Sequence, residues 1–336
     1  MKPTDFALHL ASFLSEYLPS RRDVSPNTVK SYRDVFTLLL RYCRDHQGLP
    51  PEHVTLDRID VPLILAFLEH LEKERNCGAR TRNHRLSALH AFFRYLQVEN
   101  PGRLMQSQQI LAIPFQRFKR SSVNYLSADD LAVILSQSDL NTVNGRRDAV
   151  LLSVLYDTGA RVKELIDLNV RDVRLDSPAQ ILLHGKGKKT RIVPLLSGTV
   201  NLLKEYVKEH GLDRPDRQDS PLFSNRCGER LSSSGVRYIL AKYTRQACEE
   251  RAGIPERVSP HTLRHTKAMH LLQAGNPVTT IQAILGHADI KTSAIYASAD
   301  LDMKRRALEK ASGASPSIGL PSWRKDESLM EWLRSL

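Results

Sequence analysis

The stretch SPHTLRHTKAMHLLQAG, Ser259 to Gly275, combines a helix start with charged side chains. Pro260 predicts a helix that begins there, because proline is favoured at the first helical position. His261 and Arg264 then lie one turn apart at its N-terminal end, which is suited to bind an anion. His261 and His265 also have the spacing of zinc-binding histidines, but HTLRH lacks the glutamate of a zinc protease helix. We therefore predict an anion site and no metal site.

Two segments upstream carry further charged residues. In DTGARVKEL (157–165), Arg161 and Glu164 are three residues apart, so the carboxylate can hold the guanidinium group; a plain surface ion pair is the alternative. In HGKGKKTR (184–191), Lys186 lies between two glycines at the tip of an expected hairpin. It is either a reachable functional lysine or a solvated loop lysine.

Downstream, LGHADIKTSAIY (285–296) places His287 nine residues before Tyr296. Taken alone, these are a capping histidine and a packed ring. Together with the other segments they suit metal-free attack on a phosphodiester. Arginines bind non-bridging phosphate oxygens and stabilise the transition state, tyrosine is a nucleophile, and lysine or histidine protonates the leaving oxygen. The paired acidic motif that a two-metal nuclease needs is missing from the sequence.

The composition fits this interpretation. The 336 residues suffice for two domains, and a net charge of +12 predicts attraction to a polyanion, with an inert basic surface as the alternative. We find no apolar run long enough for a membrane span, no signal peptide, and no cysteine cluster among four cysteines. We expect a cytoplasmic protein without a membrane partner.

Residues 1 to about 100 have helical patterns, with Ser25 and Asp60 as N-caps. Residues 101–125 are predicted to form an extended linker. The second domain begins near Ser127, which resembles the start of a capping box with Asp130. It is expected to hold helices at about 145–156, 162–167, 197–209, 233–250, 262–274, 278–285 and 290–296, and a β-hairpin in QILLHGKGKKTRIVPL (180–195). A short terminal helix carries an apolar stripe of Leu329, Trp332, Leu333 and Leu336.

Four segments together resemble the catalytic domain of the tyrosine recombinases, the phage-integrase and Xer group. They are TGARVKEL (158–165), GKGKKTRIVPL (185–195), HTLRHTKAMHLLQAG (261–275) and LGHADIKTSAIY (285–296). The first domain resembles the family's core-binding domain through NTVKSYRDVF (27–36) and RNHRLSALHAFFRYL (82–96).

The resemblance implies a mainly α fold with a small β-sheet, arranged as a C-shaped clamp on DNA. A helical, SAM-like core-binding domain would span residues 1–105 and a linker residues 106–125. An α+β catalytic domain would cover residues 126–312, and a tail with a docking helix residues 313–336. That helix would dock either on its own chain or on a neighbouring protomer.

The resemblance also implies a catalytic set: Arg161, Lys186, His261, Arg264, His287 and Tyr296, with Glu164 in support. Tyr296 would attack the scissile phosphate, form a 3′-phosphotyrosyl bond and release a 5′-hydroxyl. Arg161, oriented by Glu164, and Arg264 would clamp the phosphate. Lys186 would be the general acid and His261 a general base or hydrogen-bond donor, while His287 would contact the phosphate or support the site. No cofactor, metal or ATP is expected.

Several further basic residues are candidates for DNA contact: Arg82, Arg85, Arg117, Lys119, Arg120, Lys188, Lys189 and Lys267. Each could instead lie on a solvated face. Lys267 departs from the family pattern, which often has an aromatic residue there, and Ala160 stands where a bulkier residue is common. Lys188 and Lys189 leave the choice of the catalytic lysine open.

The predicted function is site-specific recombination of double-stranded DNA by an integrase or transposase of a mobile element. An Xer-type resolvase of chromosome or plasmid dimers is the alternative within the family. A type IB topoisomerase and a non-catalytic DNA-binding regulator are the alternatives from other classes. A homodimer per site and a tetramer in the synapse would follow, with or without sister recombinases.

Overall fold

The computed structural model describes residues 2–118, 124–185 and 189–286, together with Glu331 and Arg334. The chain divides into two compact units, Met1–Ser121 and Ser122–Leu336. The described residues are mainly helical and include a small antiparallel sheet, which confirms the predicted fold class. None of their helices combines the length and the apolar character that a membrane crossing requires.

The helices of the first unit follow one another with short connections. They are α1 (Asp5–Ser12), which continues into a π-helical segment (Phe13–Arg21), α2 (Pro26–Gln47), α3 (Val61–Lys73), α4 (Ala79–Glu99) and α5 (Leu104–Leu111). The predicted caps are confirmed, since the side chain of Ser25 accepts from the backbone N–H of Thr28 and that of Asp60 from Leu63. Gly48 ends α2 with a positive φ of 59°, a conformation that costs glycine little.

Aromatic rings fill the core of the first unit. Phe13 has its ring centroid 5.4 Å from that of Phe92, and Phe36 lies 5.2 Å from the same ring. Both pairs are close to perpendicular, a favoured arrangement for aromatic quadrupoles. These contacts join the start of the chain to α2 and α4.

The predicted extended linker is wrong over its first half. Residues 104–111 form α5, and Ile110 and Ile113 are buried in the core of the first unit. The side-chain amide of Gln106 donates to the carbonyls of Leu56 and Ile59 at 2.6 and 2.9 Å. The composition of this segment suggested a linker, but burial of its apolar side chains stabilises a helix there. Lys119 and Arg120 lie outside the described residues.

The second unit contains α6 (Ala128–Ser136), α7 (Val143–Thr158), α8 (Val162–Ile166), β1 (Val173–Arg174), β2 (Gln180–His184), β3 (Thr190–Pro194), α9 (Ser197–Glu209), α10 (Ser233–Glu250), α11 (Pro260–Gln273) and α12 (Val278–Leu285). The strands pair antiparallel in the order β1-β2-β3. The two strands of the predicted hairpin are confirmed, with Leu183 opposite Arg191, whereas the two-residue β1 was not predicted. The predicted helix at 290–296 and the apolar stripe of the terminal helix lie outside the described residues.

Helix α7 runs through the core of the second unit. Leu151, Leu152 and Leu155 are fully buried. The helix ends at Gly159, whose φ is +56°, and a Cβ there would lie 2.4 Å from Cδ2 of Leu285. Glycine is therefore required on two grounds: the left-handed backbone and the close approach of the end of α12.

Candidate active site

Arg264 is held at the junction of α7, α11 and α12. Ser259 caps α11 by accepting from the N–H of Thr262 at 3.1 Å, and Arg264 follows one turn later, only 4% exposed. Its guanidinium group donates to the carbonyl of Gly159 and to that of Leu285, both at 2.6 Å. These bonds fix the side chain before any ligand is present.

Arg161 begins α8, two residues after Gly159. Its Nη1 donates to Oε1 of Glu164 at 2.7 Å, and its backbone N–H donates to Oε2 at 2.9 Å. Its Nη2 lies 3.4 Å from the carbonyl oxygen of Gly286. The side chain is 38% exposed, so it is held by a buried carboxylate yet remains accessible from outside. The pair predicted from the spacing of these residues is therefore present, and it is not a plain surface pair.

Glu164 is a buried carboxylate that stays ionised. Burial on its own would raise its pKa, but hydrogen bonds from Arg191 and from the backbone and side chain of Arg161 outweigh burial and lower the pKa to about 2. The carboxylate therefore stays ionised through the whole working range of pH. It remains paired with Arg161 over that range.

Arg191 is a member of the site that sequence reasoning missed. Its Nη2 donates to Oε2 of Glu164 at 2.8 Å and its Nε to the carbonyl of Ile284 at 2.8 Å. The side chain is 11% exposed. The signal was available in TRIVP, because Arg191 shares a face of β3 with the buried Val193, and a charge on the inner face of a strand needs a partner.

The hairpin of β2 and β3 places Gly185, the residue that follows β2, beside the same carboxylate. The N–H of Gly185 donates to the carbonyl of Lys189 at 2.7 Å, and a Cβ on Gly185 would lie 3.4 Å from Oε1 of Glu164. Lys189 is exposed. Lys186 and Lys188 fall between these two residues and lie outside the described part of the chain, so the candidate general acid stays a prediction.

His261 lies at the exposed start of α11. Partial desolvation, and then the positive charges of Arg264, Arg161 and Arg237, lower its pKa, so that the imidazole is neutral at neutral pH. A neutral imidazole can accept a proton or a hydrogen bond. Arg237, an exposed residue of α10, was not predicted, since only the fold brings α10 to this end of α11.

Helix α12 ends beside both arginines. Gly286 has a φ of +66°, and a Cβ there would lie 2.9 Å from Cδ of Arg191. The carbonyls of Leu285 and Gly286 face the guanidinium groups of Arg264 and Arg161, so Gly286, the residue before His287 in the sequence, lies within this cluster. His287 and Tyr296 lie outside the described residues.

Comparison with known proteins identifies the family to which this chain belongs. The model of the phage integrase family matches residues 124–302, more than half of the chain. The model of the phage integrase N-terminal SAM-like domain matches residues 11–100. The chain belongs to the phage integrase family. It is a site-specific tyrosine recombinase.

Relatives resemble this recombinase over most of their length. A protein of Sinorhizobium fredii, provisionally named integrase/recombinase y4rC, is 40% identical over 338 residues, which span 100% of this chain and 99% of the relative. Tyrosine recombinase XerD of Listeria monocytogenes is 33% identical over 282 residues, 83% of this chain and 90% of its own.

Solved structures share the fold of this recombinase. The integrase of the transposon Tn1549, in complex with transposon right end DNA, has a TM-score of 0.69 at 18% identity and covers 90% of this chain and 98% of its own. The XerH recombinase bound to its difH substrate has a TM-score of 0.64 at 23% identity, covering 89% of this chain and 84% of its own.

Two residues that we expected to contact DNA are turned inward in this recombinase. Lys267 is 13% exposed, lies 3.7 Å from Oδ1 of Asp157 and 4.7 Å from the centre of the Tyr156 ring. Arg82 is 8% exposed, with Nε 3.4 Å from a carboxylate oxygen of Glu72. The charge of Lys267 is balanced inside the protein, so its placement does not support a direct phosphate contact. Arg82 is buried beside Glu72, and its Nε and Nη1 form no hydrogen bond within the described residues.

The other predicted DNA-contacting residues are placed differently. Arg85 is half-buried, and its Nε forms no hydrogen bond within the described residues. Arg117 is exposed near the end of the first unit. Arg117 and Lys189 therefore have the exposure that a phosphate contact requires.

Proposed function

We propose that this recombinase is the integrase of a mobile element, which cuts and rejoins double-stranded DNA through a 3′-phosphotyrosyl bond to Tyr296. The observation that carries the proposal is the convergence of Arg161 and Arg264 on the carbonyls of Gly286 and Leu285. Two guanidinium groups thereby lie beside Gly286, which precedes His287 by one residue and Tyr296 by ten in the sequence. Such a pair suits one phosphate group and its developing negative charge.

The proposed reaction exchanges one phosphodiester for another. The phenolic oxygen of Tyr296 attacks phosphorus, the bond from phosphorus to the 5′-oxygen breaks, and Lys186 gives a proton to that oxygen. The phenolic proton passes to His261, whose lowered pKa keeps its imidazole free to accept it. The 5′-hydroxyl of a second strand then attacks the phosphotyrosine and reverses these steps.

The arginines supply the electrostatic part of this mechanism. Arg161 and Arg264 hold the non-bridging oxygens, and His287 contacts the phosphate or supports the site. Glu164 and Arg191 act through Arg161 by holding its guanidinium group in place. The phosphotyrosyl bond conserves the energy of the broken phosphodiester, so ATP is not required in the proposed reaction.

The proposal of an integrase is supported by the similarity to the integrase/recombinase of S. fredii, which extends over 100% of this chain. Similarity to XerD of L. monocytogenes covers 83% of the chain, and similarity to XerC of Pelotomaculum thermopropionicum covers 90%. Alignment length therefore does not separate the two roles. An Xer-type resolvase is the second candidate, supported by that 33% identity over 282 residues.

We further propose that the active form is a homodimer on each DNA site and a tetramer in the synapse. The net charge of +12 supports binding to a duplex, which presents a dense row of negative charges. Arg117 and Lys189, both exposed, are the described candidates for phosphate contact, and Lys119, Arg120 and Lys188 join them from outside the described residues.

Covalent trapping tests the proposed function. The protein and its Tyr296→Phe variant are incubated in EDTA with nicked duplexes from the two ends of the region that flanks the gene. We expect a protein–DNA adduct that survives SDS and is lost in Tyr296→Phe. Adduct formation by the variant would assign the nucleophile to another residue.

The position of the adduct separates the two candidate roles. Attachment at the boundaries of a mobile element supports the integrase. Attachment at a chromosome or plasmid dimer resolution site, with none at element ends, supports the resolvase. Relaxation of supercoiled DNA without exchange between two sites would point instead to a topoisomerase, and tight binding without any adduct to a regulator.

A further inference from the structure

A cluster of two imidazoles and a carboxylate lies in the first unit, far along the sequence from the residues of the proposed reaction. His46 belongs to the last turn of α2, His70 to the last turn of α3, and Glu74 caps the end of α3. One ligand atom from each of the three residues lies within 4.8 Å of the other two. We propose that these residues bind a divalent transition metal, with Zn²⁺ as the best match.

The contact between His70 and Glu74 has the geometry of two ligands rather than of a hydrogen bond. Oε2 of Glu74 lies 3.1 Å from Nδ1 of His70, yet this buried nitrogen forms no hydrogen bond within the described residues. Two ligand atoms on a tetrahedral zinc are about 3.4 Å apart, because the Zn–N and Zn–O bonds are about 2.0–2.2 Å long. The observed separation of 3.1 Å is thus close to that of two ligands on one tetrahedral ion.

Tyr42 positions both imidazoles. The ring of His46 stacks on that of Tyr42, with centroids 5.2 Å apart and planes 19° apart. The ring of His70 lies 5.1 Å from Tyr42 and 4.4 Å from His46. The hydroxyl of Tyr42, a buried residue, accepts from the side-chain amide of Gln47 at 3.0 Å. The fixed ring of Tyr42 thus provides a surface against which both imidazoles pack.

The donor set selects the kind of ion. Two imidazoles and one carboxylate suit Zn²⁺ and its transition-metal neighbours, whereas Mg²⁺ and Ca²⁺ prefer oxygen ligands. Three protein ligands leave a fourth position for water. His46 and Glu74 are exposed and His70 is half-buried, so an ion can enter directly from solvent.

The bound metal joins the C-terminal ends of α2 and α3. A ligand that binds only the folded state stabilises that state in proportion to its occupancy. The metal is therefore expected to stabilise the first unit and to take no part in the proposed strand cleavage, which should continue in EDTA. Failure of this inference would leave the proposed function untouched.

Calorimetric titration of the full-length, tag-free protein with Zn²⁺ tests the inference. We expect one equivalent to bind, and the affinity to fall at least tenfold in His46→Gln and in Glu74→Gln. Both residues are exposed, so the variants should fold, and thermal unfolding without metal checks this. His53→Gln is the matched control, because His53 is an exposed histidine of the same unit outside the cluster, and it should bind as the wild type does.

Two further measurements sharpen the result. Zn²⁺ should raise the unfolding temperature of the wild type and of His53→Gln more than that of His46→Gln. Co²⁺ should give the intense visible absorption of a tetrahedral site in the wild type and in His53→Gln, and not in His46→Gln. Unchanged affinity in His46→Gln, or binding that is lost instead in His265→Gln, would overturn the proposed site, since His261 and His265 form the competing pair on α11.

Discussion

Arg191 and Arg161 donate to opposite oxygens of one buried carboxylate, that of Glu164. Nη2 of Arg191 lies 2.8 Å from Oε2, and Nη1 of Arg161 lies 2.7 Å from Oε1. The first arginine is 11% exposed and the second 38%. Arg191 therefore holds the carboxylate in place. The carboxylate in turn orients Arg161, whose side chain is accessible from outside.

We expect Arg191→Ala to slow cleavage through a displaced Arg161. A shift of about 1 Å in a positioning group can cost about 10²-fold in rate. Loss of one partner from a buried ion pair also lowers the free energy of unfolding by roughly 3 kcal/mol. The rate of adduct formation is measured well below the unfolding temperature. Arg191→Lys should restore part of it, and a folded Arg191→Ala protein that cleaves normally would show that Glu164 needs no second arginine.

Arg264→Ala should bind DNA nearly as the wild type does and yet lose cleavage by about 10²–10³-fold, the effect of removing one donor to a transition-state oxygen. Binding is measured by gel shift and cleavage by covalent trapping. The carbonyls of Gly159 and Leu285 lose the donor that Arg264 provides, so stability should fall by about 1–3 kcal/mol for each group left unsatisfied. Full cleavage in this variant would refute the assignment of the clamp.

Glu164 should make stability depend on acid. Its pKa falls from an ordinary 4.5 to about 2 on folding, so its contribution is complete above about pH 5 and disappears as the pH falls toward 2. At 1.36 kcal/mol for each pH unit, the difference is worth roughly 3 kcal/mol. Chemical unfolding between pH 7 and pH 3 checks this. Glu164→Gln should be less stable at pH 7 and lose less stability toward pH 3, whereas parallel curves would count against the shift.

Two lysines with different surroundings should contribute differently to the salt dependence of DNA affinity. Lys189 is exposed, whereas Lys267 is paired with Asp157 inside the protein. The affinity of the wild type for duplex DNA should fall steeply with salt, and Lys189→Met should reduce the slope of log K against log salt by about 0.9. Lys267→Met should leave that slope unchanged and lower the unfolding temperature instead. A reduced slope in Lys267→Met would show instead that Lys267 contacts a DNA phosphate.

Removal of a neighbouring charge should raise the pKa of His261. Desolvation, Arg264, Arg161 and Arg237 all lower that pKa. Because Arg237 is exposed, Arg237→Ala should fold normally and allow His261 to be protonated at a higher pH. NMR titration of the imidazole C–H resonances, assigned with His261→Gln, measures the change. No change would mean that Arg237 is too far away to act on the site.

The sequence was sufficient wherever a local rule determines the structure. Ser25 and Asp60 cap helices because a side-chain oxygen satisfies a nearby N–H group, and Arg161 and Glu164 meet because one helical turn separates them. Gly286 marks the end of α12 for a similar reason, since the chain there adopts a left-handed conformation.

Residues whose role depends on distant partners could not be placed in this way. Lys267 and Arg82 look like solvent-facing charges in a basic sequence, but their side chains are only 13% and 8% exposed and lie beside Asp157 and Glu72. The helix at 104–111 was mistaken for a linker because Gln106 and Ile110 bind surfaces contributed by other parts of the chain. Arg237 reaches the site only through the packing of α10.

The anchoring of Arg264 by two backbone carbonyls has a consequence for the timing of dehydration. At 4% exposure, this guanidinium group gives up its water when the chain folds, and not when DNA arrives. In the proposed reaction, little reorganisation of solvent or side chain then remains for the catalytic step. Folding itself would already have prepared the electrostatic environment for the phosphate.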